Sequence, residues 1–196
     1  MKKRIANLIS NVTNPFLMSL VLILLLSFKL TSNIPDAVRW SLISIAVSIL
    51  PVFLIIVYLV RSGRLDTIFT NVRGQRTKIY LLASACIGIG CVILCYLGAP
   101  SMLVATFVAG FSGLIVFMCI NLFWKISLHT AFITASVIAL IILYGPIVTV
   151  TAVLIPLVGW AKIELKHHSL TQTATGALIA ALVIIVVLYL FGFWFT

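Results

Sequence analysis

Long apolar runs separated by short polar islands make up the chain. The runs fall at approximately 15 to 31, 39 to 60, 79 to 98, 101 to 123, 129 to 144, 146 to 160 and 173 to 195. Most approach or exceed the roughly 20 residues a helix needs to cross a ~30 Å hydrocarbon core. The strict alternation of membrane-barrel strands is missing, and a helix meets its own backbone hydrogen bonds, as lipid demands. The pattern predicts an all-α, polytopic transmembrane bundle of six to seven crossings. The count turns on 146 to 160, which is short for a crossing. There Gly145-Pro146 is either a tight turn between two helices or a kink in one bent helix. No internal repeat or low-complexity linker interrupts the chain, so residues 1–196 are taken as one domain.

Composition points the same way. With 63% hydrophobic and 8% charged residues, a water-soluble globule of 196 residues could not hide its apolar surface. Cys86, Cys91, Cys95 and Cys119 all lie inside apolar runs without a Cys-x-x-Cys spacing, as small hydrophobes rather than redox or metal groups. Met1-Lys2-Lys3-Arg4 has the charge of a signal-peptide start. No short apolar core with a small-residue cleavage site follows, so the first span is expected to be retained. Trp40, Trp124, Trp160 and Trp194 fall near span ends, where interfacial tryptophans sit.

Counting crossings alternately puts the N-terminus and segments 61 to 78, 124 to 128 and 161 to 172 on one side. That side carries Lys2, Lys3, Arg4, Arg61, Arg64, Arg73, Arg76, Lys78, Lys125, Lys162 and Lys166; the other has only Lys29 and Arg39. By the positive-inside rule the shared side is cytoplasmic, in a multi-pass cell-membrane protein. The cations are read as serving lipid headgroups and an anionic substrate, with no role for nucleic acid.

All three histidines occur in two of these islands, Trp124-Lys-Ile-Ser-Leu-His129 and Lys162-Ile-Glu-Leu-Lys-His-His168-Ser-Leu-Thr-Gln172. Histidine titrates nearest neutrality, so histidines flanked by lysines suggest acid/base or nucleophilic work on an anion. With three acids in the chain, a zinc or magnesium site is disfavoured, and no cofactor is expected.

The islands resemble the three signature motifs of the type 2 phosphatidic acid phosphatase superfamily, KxxxxxxRP, PSGH and SRxxxxxHxxxD. They also resemble a small divergent prokaryotic branch reading WKIS-x-HA and AR-x-x-LGxHTxxQ. The motif-bearing core spans about 61–196. Ser127 and His129 align with the serine and histidine of the second motif, with Ile126 and Leu128 at its proline and glycine positions. In the third, Lys162 stands for arginine, His168 for the nucleophile and Gln172 for aspartate. In the first, Arg76 stands for arginine, Thr77 for proline and Phe69 for lysine, with Arg73 as a substitute cation.

The resemblance implies a helical membrane phosphatase acting on a lipid phosphate or diphosphate, a polyprenyl diphosphate being the first choice. His168 would attack phosphorus to form a phosphohistidine, and His129 would protonate the leaving group and later activate water. Arg73, Arg76, Lys125, Lys162, Ser127 and the backbone amide of Leu128 would hold the phosphate oxygens. Gln172 would orient the His168 ring. If residues 168 to 172 begin the last helix, the spacing puts both on one face. His167 competes with His168 as nucleophile, and Glu164 either orients a histidine or pairs with Lys162 or Lys166. The rival from another class is a noncatalytic lipid-phosphate binder acting as scaffold or transport-related protein. A transferase is a third reading; Asp36 and Asp66 are too few for an aspartate-rich magnesium site.

Overall fold

The computed structural model describes residues 1–70 and 72–194, and among them every regular element is helical. The elements are α1 (Lys2–Val12), α2 (Pro15–Leu30), α3 (Ile34–Val47), α4 (Ile49–Arg61), α5 (Arg73–Tyr96), α6 (Ser101–Asn121), α7 (Leu128–Tyr144), a 3-10 segment (Pro146–Val153), α8 (Leu154–Glu164) and α9 (Leu170–Leu190). Among the described residues, five stretches are long and apolar enough to cross a membrane: Ile34–Arg61, Arg73–Tyr96, Ser101–Asn121, Pro146–Glu164 and Leu170–Leu190. A sixth is added if α1 and α2, bent by 46°, count as one span. The run at 129 to 144 forms α7, an apolar helix of only 17 residues, about 26 Å long. The last run was expected to reach residue 195, but α9 ends at Leu190, and Phe195 lies outside the described residues.

Several boundaries have local causes. Pro15 has no N–H to continue α1, and the Asn14 side chain instead accepts from Leu17 N–H at 3.0 Å, starting α2 afresh. Pro51 cannot donate to the Val47 carbonyl, which separates α3 from α4 at Ser48. Gly145 adopts φ +79 and ψ −166, a conformation only glycine takes readily. The following 3-10 segment and α8 then fold back along α7. Gly145-Pro146 is therefore a turn between helices, not a kink.

The chain packs as two compact units, residues 1–22 with 126–196 and residues 23–125. In the first, α1 packs on α8, and α7 packs on α8 and α9. Its core joins Ile133 and Val137 of α7 to Val158 of α8, with Ile9, Met18, Ile141 and Ile155 packed against them. In the second, α5 is the centre, packed on α3, α4 and α6. Gly90 of α5 lets its neighbours approach: a Cβ there would meet Val47 Cγ2 at 3.0 Å and a Phe107 ring carbon at 3.1 Å.

Much of the apolar surface points outward. Leu178 is 70% exposed and Leu182 is 65% exposed on α9, and Leu50, Phe53, Leu54 and Ile55 are exposed on α4. Faces of this kind are compatible with lipid and unfavourable in water. Trp124, Trp160 and Trp194 are exposed, whereas Trp40 is buried beneath the Arg39 guanidinium, 4.9 Å from its ring centroid.

Gly90→Val should overpack the α3–α5–α6 contact and destabilise the protein by about 1–3 kcal/mol. Gly110→Ala, where an added Cβ meets nothing within 4 Å, should leave stability unchanged. Thermal unfolding of the two variants in detergent measures the difference.

Candidate functional site

The second and third islands meet in the first unit. Ser127 is the N-cap of α7, its hydroxyl accepting from Thr130 N–H at 3.4 Å. Its own N–H donates to the Gln172 carbonyl at 3.2 Å. Thr130 Oγ1 donates to the Thr173 carbonyl at 3.1 Å, and a Cβ on Gly176 would lie 2.7 Å from the Ser127 carbonyl oxygen. The first turns of α7 and α9 thus lie side by side. The start of a helix carries a partial positive charge, which favours an anion nearby. His129 is the second residue of α7 and is buried; Leu128, its first, presents an N–H that the helix ladder does not use.

The turn carrying His168 is built by the end of α8. Lys166 N–H donates to the Ile163 carbonyl at 2.8 Å, and His167 and His168 N–H donate to the Lys162 carbonyl at 3.0 and 3.3 Å. This is a Schellman closure, with Lys166 at φ +57 in the left-handed position that glycine usually fills. His168 therefore precedes α9 rather than beginning it. Ser169 is the N-cap, and Gln172 completes a capping box.

The same capping box contacts the His168 ring. Gln172 Oε1 accepts from Ser169 N–H at 3.1 Å and lies 3.2 Å from His168 Nδ1. A backbone N–H can only donate, so the Gln172 atom it meets must be the carbonyl oxygen. The same oxygen facing Nδ1 requires Nδ1 to carry the proton in the neutral ring, which puts the lone pair on Nε2. The expected His168–Gln172 contact exists, but it arises from an N-cap and not from a shared helix face. His168 is half-buried, and its competitor His167 is exposed.

Lys162, in the last turn of α8, turns its side chain toward α1. It is 4% exposed, and its Nζ donates to Ser10 Oγ of α1 at 2.7 Å. Ser127 is fully buried and holds a cap, a structural duty in addition to the phosphate contact expected of it.

The remaining cations belong to the second unit. Arg76 is buried on the first turns of α5, donating from Nη2 to Tyr80 Oη at 2.9 Å, with its guanidinium 5.7 Å from the ring centroid. Arg73 is exposed, and its carbonyl accepts from Asn121 Nδ2 at 3.2 Å; the same amide reaches Thr77 Oγ1 at 3.1 Å. Burial lowers the proton affinity of Lys125 below the usual lysine value, and the Arg76 charge lowers it further. Phe69 is exposed. Among the described residues no group of three or more His, Cys, Asp or Glu side chains could hold a metal ion.

No protein-family model, curated protein or solved structure matches the chain. Its site must be judged on its own geometry. Ser10, Tyr80, Asn121, Thr130, Thr173 and Gly176 were not among the residues singled out from sequence. Of these, Asn121 had a usable signal: an amide at the end of an apolar run needs a partner.

Gly176→Ala places a carbon against the Ser127 carbonyl and should separate the two histidine turns, lowering stability by about 1–3 kcal/mol. Gly159→Ala, whose Cβ would meet Thr130 and Thr173 only at 3.9 Å, should be tolerated. Thermal midpoints of the two variants check the contrast.

Proposed function

We propose that the protein is an integral membrane phosphatase of the type 2 phosphatidic acid phosphatase kind, hydrolysing a lipid phosphate or diphosphate, with a polyprenyl diphosphate as first substrate. The observation that carries this reading is the Gln172 oxygen held against His168 Nδ1, beside the docked turn bearing His129. If the ring is neutral, that contact leaves the lone pair on Nε2, the nitrogen proposed as nucleophile. A second observation supports the resemblance. The third motif of the divergent branch has glycine at the position of Lys166, and this is the residue with φ +57. The exposed apolar faces support placement in a bilayer, which would retain the lipid tail while the phosphate meets the polar islands.

The chemistry runs in two displacements. His168 Nε2 attacks phosphorus in line as the phosphorus–oxygen bond to the leaving group breaks, and His129 gives that oxygen its proton. Water then attacks the phosphohistidine, His129 takes its proton, and the phosphorus–nitrogen bond breaks to release phosphate. Gln172 accepts from Nδ1 throughout but carries no charge, so it stabilises the cationic ring less than an aspartate would. Within the first unit the reading assigns the phosphate oxygens to Lys162, Ser127 and the Leu128 amide; the roles of Arg73, Arg76 and Lys125 come from the motif resemblance. The motif-bearing loops face the cytoplasm in this reading, from the distribution of lysine and arginine.

Purified protein should release phosphate from a polyprenyl diphosphate in the presence of a chelator, with phosphate trapped on histidine by acid-free quench. His168→Ala should abolish both, a loss of at least about 10³-fold. Phosphate-lipid binding without turnover or a trapped intermediate would instead support the noncatalytic binder. Activity lost to chelator would contradict the mechanism.

The alkaline side of the pH profile gives a separate check. Lys125 releases its proton at lower pH than an ordinary lysine, so its contribution to phosphate binding should fade as pH rises through that lowered value. Lys125→Arg stays charged and should extend the alkaline limb of kcat/KM to higher pH.

A further inference from the structure

We propose that α1 is an interfacial helix that holds the first unit on an anionic lipid surface, with Ile5, Leu8 and Val12 set into the acyl boundary and Lys2, Lys3 and Arg4 at the headgroups. This goes beyond the phosphatase reading and does not depend on it. The helix carries three cations and no acid in 11 residues. It is about 16 Å long, roughly half of what a crossing needs, and the chain bends by 46° between it and α2.

The surface of α1 divides into three sectors. Ala6 and Ser10, one turn apart, are buried, and Ser10 meets Lys162 of α8; Ile9 beside them packs on Ile133, Val137 and Val158. That sector fixes the helix to the unit. Ile5, Leu8 and Val12, spaced three and four residues apart, form a second stripe that stays exposed, Leu8 by 65%. Lys3, Arg4, Asn7 and Asn11 form the third, also exposed, and Lys2 opens the helix.

The first sector alone is enough to dock α1, so the second apolar stripe has no use inside the unit. Left in water it would be unfavourable. An apolar stripe running beside a basic sector is the arrangement of helices that lie in the headgroup region, with their apolar side at the acyl boundary. Charge selects the occupant. A second copy laid on the same stripe would bring its own cations against these, whereas a phospholipid of net negative charge is attracted by all three.

The full chain reconstituted in phosphatidylcholine vesicles tests this. With Cys86, Cys91, Cys95 and Cys119 replaced by alanine, a fluorescent label on Leu8→Cys should be quenched by acyl-chain nitroxide and protected from aqueous iodide, and a label on Asn7→Cys should show the reverse. Nitroxide carried on phosphatidylglycerol should quench the Leu8→Cys label at about fivefold lower mole fraction than nitroxide on phosphatidylcholine. Lys2→Gln/Lys3→Gln/Arg4→Gln, or high salt, should abolish that preference. With the native cysteines in place, phosphatidylglycerol should raise the unfolding temperature of the wild type more than that of the triple variant. Equal access of iodide to both labels, equal quenching by the two lipids, self-quenching between labelled copies that persists on dilution with lipid, or equal shifts in unfolding temperature would each overturn the proposal. None of these readouts involves turnover, so the phosphatase reading is judged separately.

Discussion

Gln172 holds the histidine turns of the first unit together. Its backbone carbonyl accepts the Ser127 N–H, which docks the start of α7 on α9, while its side-chain oxygen accepts the Ser169 N–H and faces His168 Nδ1. Gly176, one turn on, supplies the space for that approach, since any side chain would strike the Ser127 carbonyl. The contact is small in net free energy, of the order of 1 kcal/mol per hydrogen bond. Its importance is geometric: it fixes both the neighbourhood of the two turns and the tautomer of one imidazole.

The consequences reach outward through α8. The end of that helix closes in a Schellman turn with a lysine in the left-handed position, a conformation costing roughly 1–2 kcal/mol for a residue with a Cβ. Three N–H donors converging on the carbonyls of Ile163 and Lys162 oppose that cost. Strain held in this way beside a candidate nucleophile is the pattern expected where geometry serves function before stability. The same Lys162 sends its side chain to α1, so the chain's first helix is tied to its third polar island.

The second unit shows the same economy of polar groups. Asn121 spends its amide on the first turns of α5, and Tyr80 receives the Arg76 guanidinium. A buried polar group that gains a partner offsets part of the cost of its lost hydration. The few polar side chains therefore define where helices touch, and outward faces are left to leucine, isoleucine and phenylalanine.

Much of the architecture was legible in the chain. Uninterrupted apolar runs can satisfy their backbone only as helices, so the all-helical fold and the approximate position of most helices followed from the runs and their length; α1, which is polar, and the break between α3 and α4 did not. The histidine islands were legible because polar residues in such a background stand out. Other features were not. The helical start of α5 at Arg73 is hidden because its first turns are polar. The pairing of Ser10 with Lys162 and the docking of Ser127 on Gln172 depend on which helix faces pack together. Local sequence determined which segments became helices and where polar chemistry was concentrated; tertiary packing alone decided which polar groups met, because those contacts join residues that the chain holds tens or hundreds of positions apart.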